Sequence, residues 1–317
     1  MLDHDNTSAL LPFKELVEAL RHAYAGDCNV PPRHHHSINV PNEPEATLLL
    51  MPSWKFEGAN NYLGLKIVNV YPGNSKYQIP GLTSSYLLFD GRTGRPLASL
   101  DGNAITSRRT AAISVLGATY LARPESSKLL ILGTGRVGSL LPEAFCDFFP
   151  IKQIKIWDID LSIAREKAGG LQLKGVEVSV AENLEDEARH ADIITCATLS
   201  TEPLIRGEWI NSGTHLDLLG AFTPIMRETD DEAVSSCRVF IDVPEAFEEG
   251  GDLVHAMRSG AFVVEDCQGT LSQLCRGEIA GRSDSEEQTM FKAVGSAISD
   301  LAAAAMVYEG YNLNKME

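Results

Sequence analysis

The stretch KLLILGTGRVGSLLPEAFCDFFPIKQIKIWD, residues 128–158, decides how the rest of the chain is read. Residues 128–132 form an apolar run of strand length that leads directly into Gly133-Thr134-Gly135-Arg136-Val137-Gly138. Gly133 permits a tight turn, Gly135 lets a phosphate approach the backbone, and Gly138 lets the next helix pack on the strand. The helix expected over residues 136–149 would aim its free N–H groups and the positive end of its dipole at that phosphate. A second strand, IKIWD, ends in Asp158, twenty residues beyond Gly138. A carboxylate there accepts hydrogen bonds from ribose hydroxyls and repels a 2′-phosphate. Asp160 adds negative charge, and no arginine occupies 157–161. NADH is therefore favoured as cofactor, with NADPH admitted. GxGxxG alone is a weak sign; strand, helix and distal carboxylate together make it specific.

Working outward, VEVSV, ADIITCAT, THLDLLG and RVFIDV continue the pattern of short apolar strands separated by helix-length segments. Such alternation predicts parallel βαβ units and a doubly wound sheet. The tail from residue 286 to 308 spaces Met290, Phe291, Val294, Ile298, Leu301, Ala305 and Tyr308 three or four apart. It reads as one long amphipathic helix returning to the first domain. On the N-terminal side, residues 8–25 also carry helical spacing. ATLLLMP, YLGLKIVNVYP and TSSYLLFD are β-rich runs bounded by turn residues, and DGRTGRP leads into PLASLDG as a hairpin. Residues 103–123 read as an alanine-rich helix ending before Pro124. The fold class is α/β: a Rossmann domain over 123–289, plus an α+β substrate and dimerisation domain from 1–122 and 290–317.

The 317 residues carry 43 acidic against 27 basic side chains, a formal net charge of −16. A surface that negative repels phosphate backbones and anionic lipid, so neither nucleic acid nor membrane is expected as a partner. No apolar run approaches the roughly 18 residues of a membrane span, and MLDHDNTSALLPF lacks the build of a secretory signal. The six cysteines are scattered without a CxxC pair, which suits reduced thiols and a cytoplasmic location.

Against that negative background, a few cations stand out. Lys66 lies inside the apolar run GLKIVNV, where burial would demand a partner or a task, although alternation also admits a solvent-facing lysine. Arg109 follows Arg108 near the start of a helix, where its charge gains nothing from the helix dipole. It suits either a structural ion pair or a grip on a substrate carboxylate. His34-His35-His36 would alternate faces on an extended segment and make a poor chelate, so no metal is expected.

Arg33, Lys66, DGNAITSRRTAA, LGTGRVG, IWDID, ATLSTEP, GAFTPIMRE and FKAVG, taken together, resemble the ornithine cyclodeaminase/μ-crystallin family, collinearly from about residue 30 to 308. The resemblance implies a homodimer built through the sheet of the first domain, with a cleft between the two domains. It implies that Arg33 and Arg109 hold the substrate carboxylate and that Lys66 is the active-site lysine. It places Gly133, Gly135, Arg136 and Val137 at the pyrophosphate and Asp158 at the ribose, and implies that Arg109, Thr134, Ile159 and Asp160 also contact the cofactor. Thr198 and Leu199 fall under the nicotinamide ribose, and Leu219 and Val294 approach the nicotinamide.

One position departs from the cyclodeaminases and the related alanine dehydrogenases. Where they carry an aspartate two residues after the first glycine of the catalytic-loop segment, this chain has Phe222 in Gly220-Ala221-Phe222. Phenylalanine cannot manage protons around an α-amine, and Asp217 lies within a strand. LDLLGAFTPIMRE resembles instead members that reduce a preformed cyclic imine, Δ1-pyrroline-2-carboxylate or its six-membered homologue, to L-proline or L-pipecolate. In that reading Phe222 packs against the ring methylenes, and Lys66, or a water it orients, protonates the imine nitrogen. The rival readings are an ornithine cyclodeaminase or alanine dehydrogenase, and a non-catalytic NAD(P)H- and small-ligand-binding protein like μ-crystallin.

Overall fold

Turn residues cut the N-terminal β-rich segment into a meander: β1 (His34–Ile38), β2 (Ala46–Glu57), β3 (Asn60–Val70), β4 (Leu82–Asp90) and β5 (Pro96–Asp101). The strands pair in that order as a five-stranded antiparallel sheet. The computed structural model describes residues 2–57 and 60–315. These divide into two compact units, Met1–Arg109 with Ser296–Glu317, and Thr110–Gly295.

In the first unit, side chains alternate across the pleat. Register sets Lys66 between Met51 and Tyr86, and Gly64 between Ser53 and Leu88, on one face. That face is buried under the C-terminal helix, Ala297–Asn314: Ser53 Oγ donates to Ala297 O at 3.1 Å, and Tyr62 Oη to Glu309 Oε1 at 2.9 Å. The other face stacks Trp54 with Leu63 and Phe89, and Leu65 with Leu87, all partly exposed. Instead of one helix over 8–25 there are two, His4–Ala9 and Phe13–Ala25. Pro12 stands at the cap of the second; lacking an N–H, it cannot continue the first. Phe13, Leu16, Val17, Leu20 and Tyr24 of the second helix are buried at helical spacing.

The second unit is an eight-stranded sheet built from β6 (Lys128–Leu132), β7 (Gln153–Trp157), β8 (Glu177–Val180), β9 (Ile193–Cys196), β10 (His215–Leu218), β11 (Arg238–Ile241), β12 (Gly269–Thr270) and β13 (Thr289–Lys292). The order is β12-β11-β13-β10-β9-β6-β7-β8, every pairing parallel. Leu130, Leu132, Ile194, Leu216, Leu218, Val239, Ile241 and Met290 fill its core. Because the strands are parallel, all their C-terminal ends share one edge. The order reverses between β6 and β9, where a doubly wound sheet opens a crevice for a ligand.

Three expectations need correction here. Residues 286–308 are not one helix: Thr289–Lys292 is fully buried as β13 between β10 and β11, and the helix begins only at Ala297. Gly295, at φ +84°, turns the chain, and Ser296 caps the helix by accepting from Ile298 N. Met290, Phe291 and Val294 matched a helical period by coincidence; a fully buried strand has no alternation to distinguish it. The unit boundaries accordingly fall at 109/110 and 295/296 rather than 122/123 and 289/290. The helix after the glycine-rich turn is also shorter than expected: a 3-10 turn at Gly138–Leu140 precedes Leu141–Cys146, with Pro142 at its start.

Candidate active site

Residues after four neighbouring strands meet on the shared edge of the parallel sheet. Gly133, at φ +96°, donates its N–H to Trp157 O at 2.9 Å, and a Cβ there would lie 2.6 Å from Ala197 O. A Cβ on Gly138 would stand 2.0 Å from Gly133 O, so this turn closes only with glycine at both positions. Gly135 differs: a Cβ there would meet nothing within 4 Å, and both it and Arg136 are exposed. The middle of the motif is thus an open cradle of backbone, which fits a pyrophosphate.

Asp158 closes the cradle at the end of β7. Its Oδ2 accepts from Thr134 N at 3.0 Å and Thr134 Oγ1 at 2.6 Å, and its Oδ1 from Asp160 N at 3.2 Å. The carboxylate is held by the glycine-rich loop, with lone pairs of Oδ1 left for a ribose hydroxyl. Asp160 caps the next helix through Ser162 N. A cleft of about 350 Å³ runs from Gly133, Thr134 and Gly135 past Asp158 and Ile159 to Thr198 and Leu199. Ile159 is 89% and Leu199 71% exposed, two apolar side chains at the cleft that a flat base would cover. Trp157, Ala197, Ser200 and Leu204, to which the sequence assigned no role, also line it. Arg136, Val137 and Asp160 flank this cleft, and Leu219, Phe222 and Val294 lie after β10 and β13 on the same edge. Leu219 is buried, and Phe222 is 41% exposed.

The loops after β9 and β10 are tied by one buried carboxylate. Glu228 Oε1 accepts from Thr198 N at 2.7 Å and Thr198 Oγ1 at 2.8 Å, and Oε2 from Gly220 N at 2.8 Å. A Cβ on Gly220 would lie 2.3 Å from Thr198 O, so the two loops touch. Burial, with Asp252 adding and Lys292 opposing, holds the Glu228 carboxyl above its ordinary range. Asp252 in turn accepts from Glu228 N at 2.7 Å and Thr229 N at 2.9 Å, and pairs with the fully buried Lys292 of β13 at 3.0 Å. Lys292 is 0% exposed, as is Asp252.

The first unit holds a separate charged cluster. Lys66 on β3 is 3% exposed, which decides between the two readings of its strand: it points inward. Its Nζ lies 2.6 Å from Asp300 Oδ2. Arg109, in the helix Gly102–Leu121, donates from Nε to Asp300 Oδ1 at 2.9 Å. Asp300 itself is fully buried in the first turn of the C-terminal helix. Burial lowers the Lys66 pKa to about 8, with Arg109 and Arg33 adding to the shift and Asp300 opposing it. Burial would raise the Asp300 carboxyl, but Lys66 and Arg109 hold it below the ordinary range. Arg33, half-buried just before β1, is close enough for its charge to act on Lys66. Arg108 is sorted out of the site: its Nε donates to Leu11 O at 2.6 Å, and its guanidinium stacks 4.2 Å over Phe13. Asp300 went unnoticed in the sequence, where its one signal is a lone acid in the run AISDLAAAA.

The model of the ornithine cyclodeaminase/mu-crystallin family matches residues 4–315. The chain belongs to this family. Among family relatives, a Delta(1)-pyrroline-2-carboxylate reductase of Colwellia psychrerythraea is 34% identical over 305 residues, covering 94% of this chain and 95% of the relative. Protein SAR DEFICIENT 4 of Arabidopsis thaliana is 38% identical over 286 residues, covering 89% and 87%. A solved structure of the Thermococcus litoralis Delta(1)-pyrroline-2-carboxylate reductase, in complex with NADH and L-proline, superposes with a TM-score of 0.90 at 31% identity. It covers 99% of this chain and 98% of its own. The two-domain α/β architecture of this family is the one described above.

Proposed function

We propose that this chain reduces a cyclic ketimine carboxylate, Δ1-pyrroline-2-carboxylate with its six-membered homologue as a further substrate, to L-proline or L-pipecolate. The observation that carries the reading is Phe222. The segment Gly220–Ile225, GAFTPI, contains no titratable side chain where cyclodeamination needs a carboxylate. An apolar ring beside a charged α-amine would leave the ammonium desolvated and unpaired, which disfavours an amino-acid substrate and spares an imine. Family membership and the reductase names of the relatives support the same choice.

A bound nicotinamide dinucleotide supplies the hydride; Gly133–Val137, Asp158, Thr198 and Leu199 are the residues that would hold it. The chain's own groups do the rest. Arg109 and Arg33 grip the carboxylate and fix the imine carbon in orientation. Lys66, an ammonium at neutral pH, donates a proton to the ring nitrogen and makes the carbon more electrophilic. The apolar outer face of the five-stranded sheet is the surface we assign to a second copy in a homodimer.

With NADH, the five- and six-membered imines should be consumed, and L-ornithine with NAD should yield no ammonia. Ammonia released from ornithine at a rate comparable to imine reduction would restore the cyclodeaminase reading. The cofactor preference rests on Asp158, so the KM for NADH should lie below that for NADPH. Asp158→Ser removes the charge that repels a 2′-phosphate and should narrow or reverse the ratio. An unchanged ratio in that variant would move the ribose elsewhere.

A further inference from the structure

Two cations of the first unit, Lys66 and Arg109, meet at one fully buried carboxylate. Asp300 offers one oxygen to each: Oδ2 to Lys66 Nζ at 2.6 Å, Oδ1 to Arg109 Nε at 2.9 Å. A guanidinium has five N–H donors in a rigid fork, and Asp300 engages it through Nε. A substrate carboxylate would therefore be met end-on, by Nη1 and Nη2, and Arg109 could not swivel to present its Nε edge. Lys66 is likewise held, its Nζ 2.6 Å from Asp300 Oδ2.

We propose that Asp300 is a positioning residue, which turns Arg109 end-on to the substrate carboxylate and keeps the Lys66 side chain a proton donor. This rests on the ketimine-reductase reading for its substrate but not for its geometry. Two positive groups side by side in a buried site repel each other, and a third, Arg33, adds to the field. The groups facing Lys66 are Asp300 from the C-terminal helix, Arg109 from the helix Gly102–Leu121, Arg33 before β1, and Tyr86 across the β3–β4 pair. Burial keeps the Tyr86 phenol protonated far above neutral pH, so it supplies no compensating charge. Asp300 is the one anion in that set. Without it, burial and the two arginines act unopposed, and Lys66 gives up its proton at lower pH.

The test is the titration of Lys66 itself, read by NMR of protein labelled with [6-¹³C]lysine, its signal assigned by its loss in Lys66→Met. Asp300→Asn keeps the shape and removes the charge; the midpoint should fall by about 1–3 pH units from its wild-type position. Arg109→Gln removes the repelling neighbour and should raise the midpoint. That opposite shift decides the matter should Asp300→Asn fail to fold. In parallel, the alkaline limb of kcat/KM for the imine should move down with the midpoint in Asp300→Asn. The KM for the imine should rise while that for NADH stays near wild type. Substrate titration is common to both enzymes and cancels in the comparison. A Lys66 midpoint that stays put in Asp300→Asn, or falls in Arg109→Gln, overturns the proposal. Absence of imine turnover by the wild-type enzyme would instead defeat the functional reading, and the NMR midpoints would still decide the role of Asp300.

Discussion

Arg109→Ala should lose roughly 100-fold or more in kcat/KM for the imine, while the affinity for NADH, measured by fluorescence titration, falls much less. A charge-assisted hydrogen bond contributes about 1.5–3 kcal/mol, and an end-on fork makes two of them in a desolvated site. Every 1.4 kcal/mol or so is a factor of ten. The variant also leaves Asp300 with Lys66 as its remaining ion-pair partner, and drawing Lys66 further toward Asp300 would take the proton donor away from the substrate. Both effects lower turnover. Activity within roughly twofold of wild type would make Arg109 a structural residue and place the carboxylate elsewhere.

The second large effect is expected from Lys292→Met, at a position with no direct part in the chemistry. Lys292 is fully buried in β13 and neutralises Asp252, which anchors the backbone of Glu228 and Thr229. Glu228 in turn ties the Thr198 and Gly220 loops. Methionine fills similar space and carries no charge. Removing one partner of a buried pair leaves an uncompensated ion and costs about 3–5 kcal/mol. For a unit of this size that corresponds to a fall in Tm of roughly 6–20 °C by differential scanning fluorimetry. Cofactor binding should weaken as well, since the two loops lose their common tie. Adding Asp252→Asn should recover part of the stability by removing the orphaned charge. A Tm within about 2 °C of wild type would mean that the buried carboxylates are neutral without the lysine.

Lys292 and Glu228 stand inside FKAVG and GAFTPIMRE, yet the sequence assigned no role to either, and the reason is the same for both. A lysine after Met290-Phe291 and a glutamate after Met226-Arg227 look like ordinary surface charges when neighbours along the chain are all that is visible. Their significance comes from burial, which β13 creates by inserting between β10 and β11. The misread period of residues 286–308 therefore hid more than a strand: it hid the lysine that balances the buried acids beside the loops after β9 and β10. Gly295-Ser296, a turn followed by a helix cap, was the local signal against a continuous helix.

What the sequence determined by itself is whatever depends on short-range geometry. The strand, glycine-rich turn and distal Asp158 lie within 31 residues, and Thr134 and Asp158 do meet at 2.6 Å. The βα alternation and the antiparallel meander follow from periods of two and 3.6 residues, which are properties of the local backbone. What the tertiary structure alone decided are the partners. Asp300 lies 191 residues from Arg109 along the chain, and nothing in AISDLAAAA says that its carboxylate will be buried between a lysine and an arginine. Arg108 and Arg109 are adjacent and chemically identical; the turn of one helix sends the first to Leu11 and Phe13 and the second to Asp300. Successive residues on a helix point about 100° apart, so neighbours in sequence face different surroundings, and which face is buried is settled only when the chain packs.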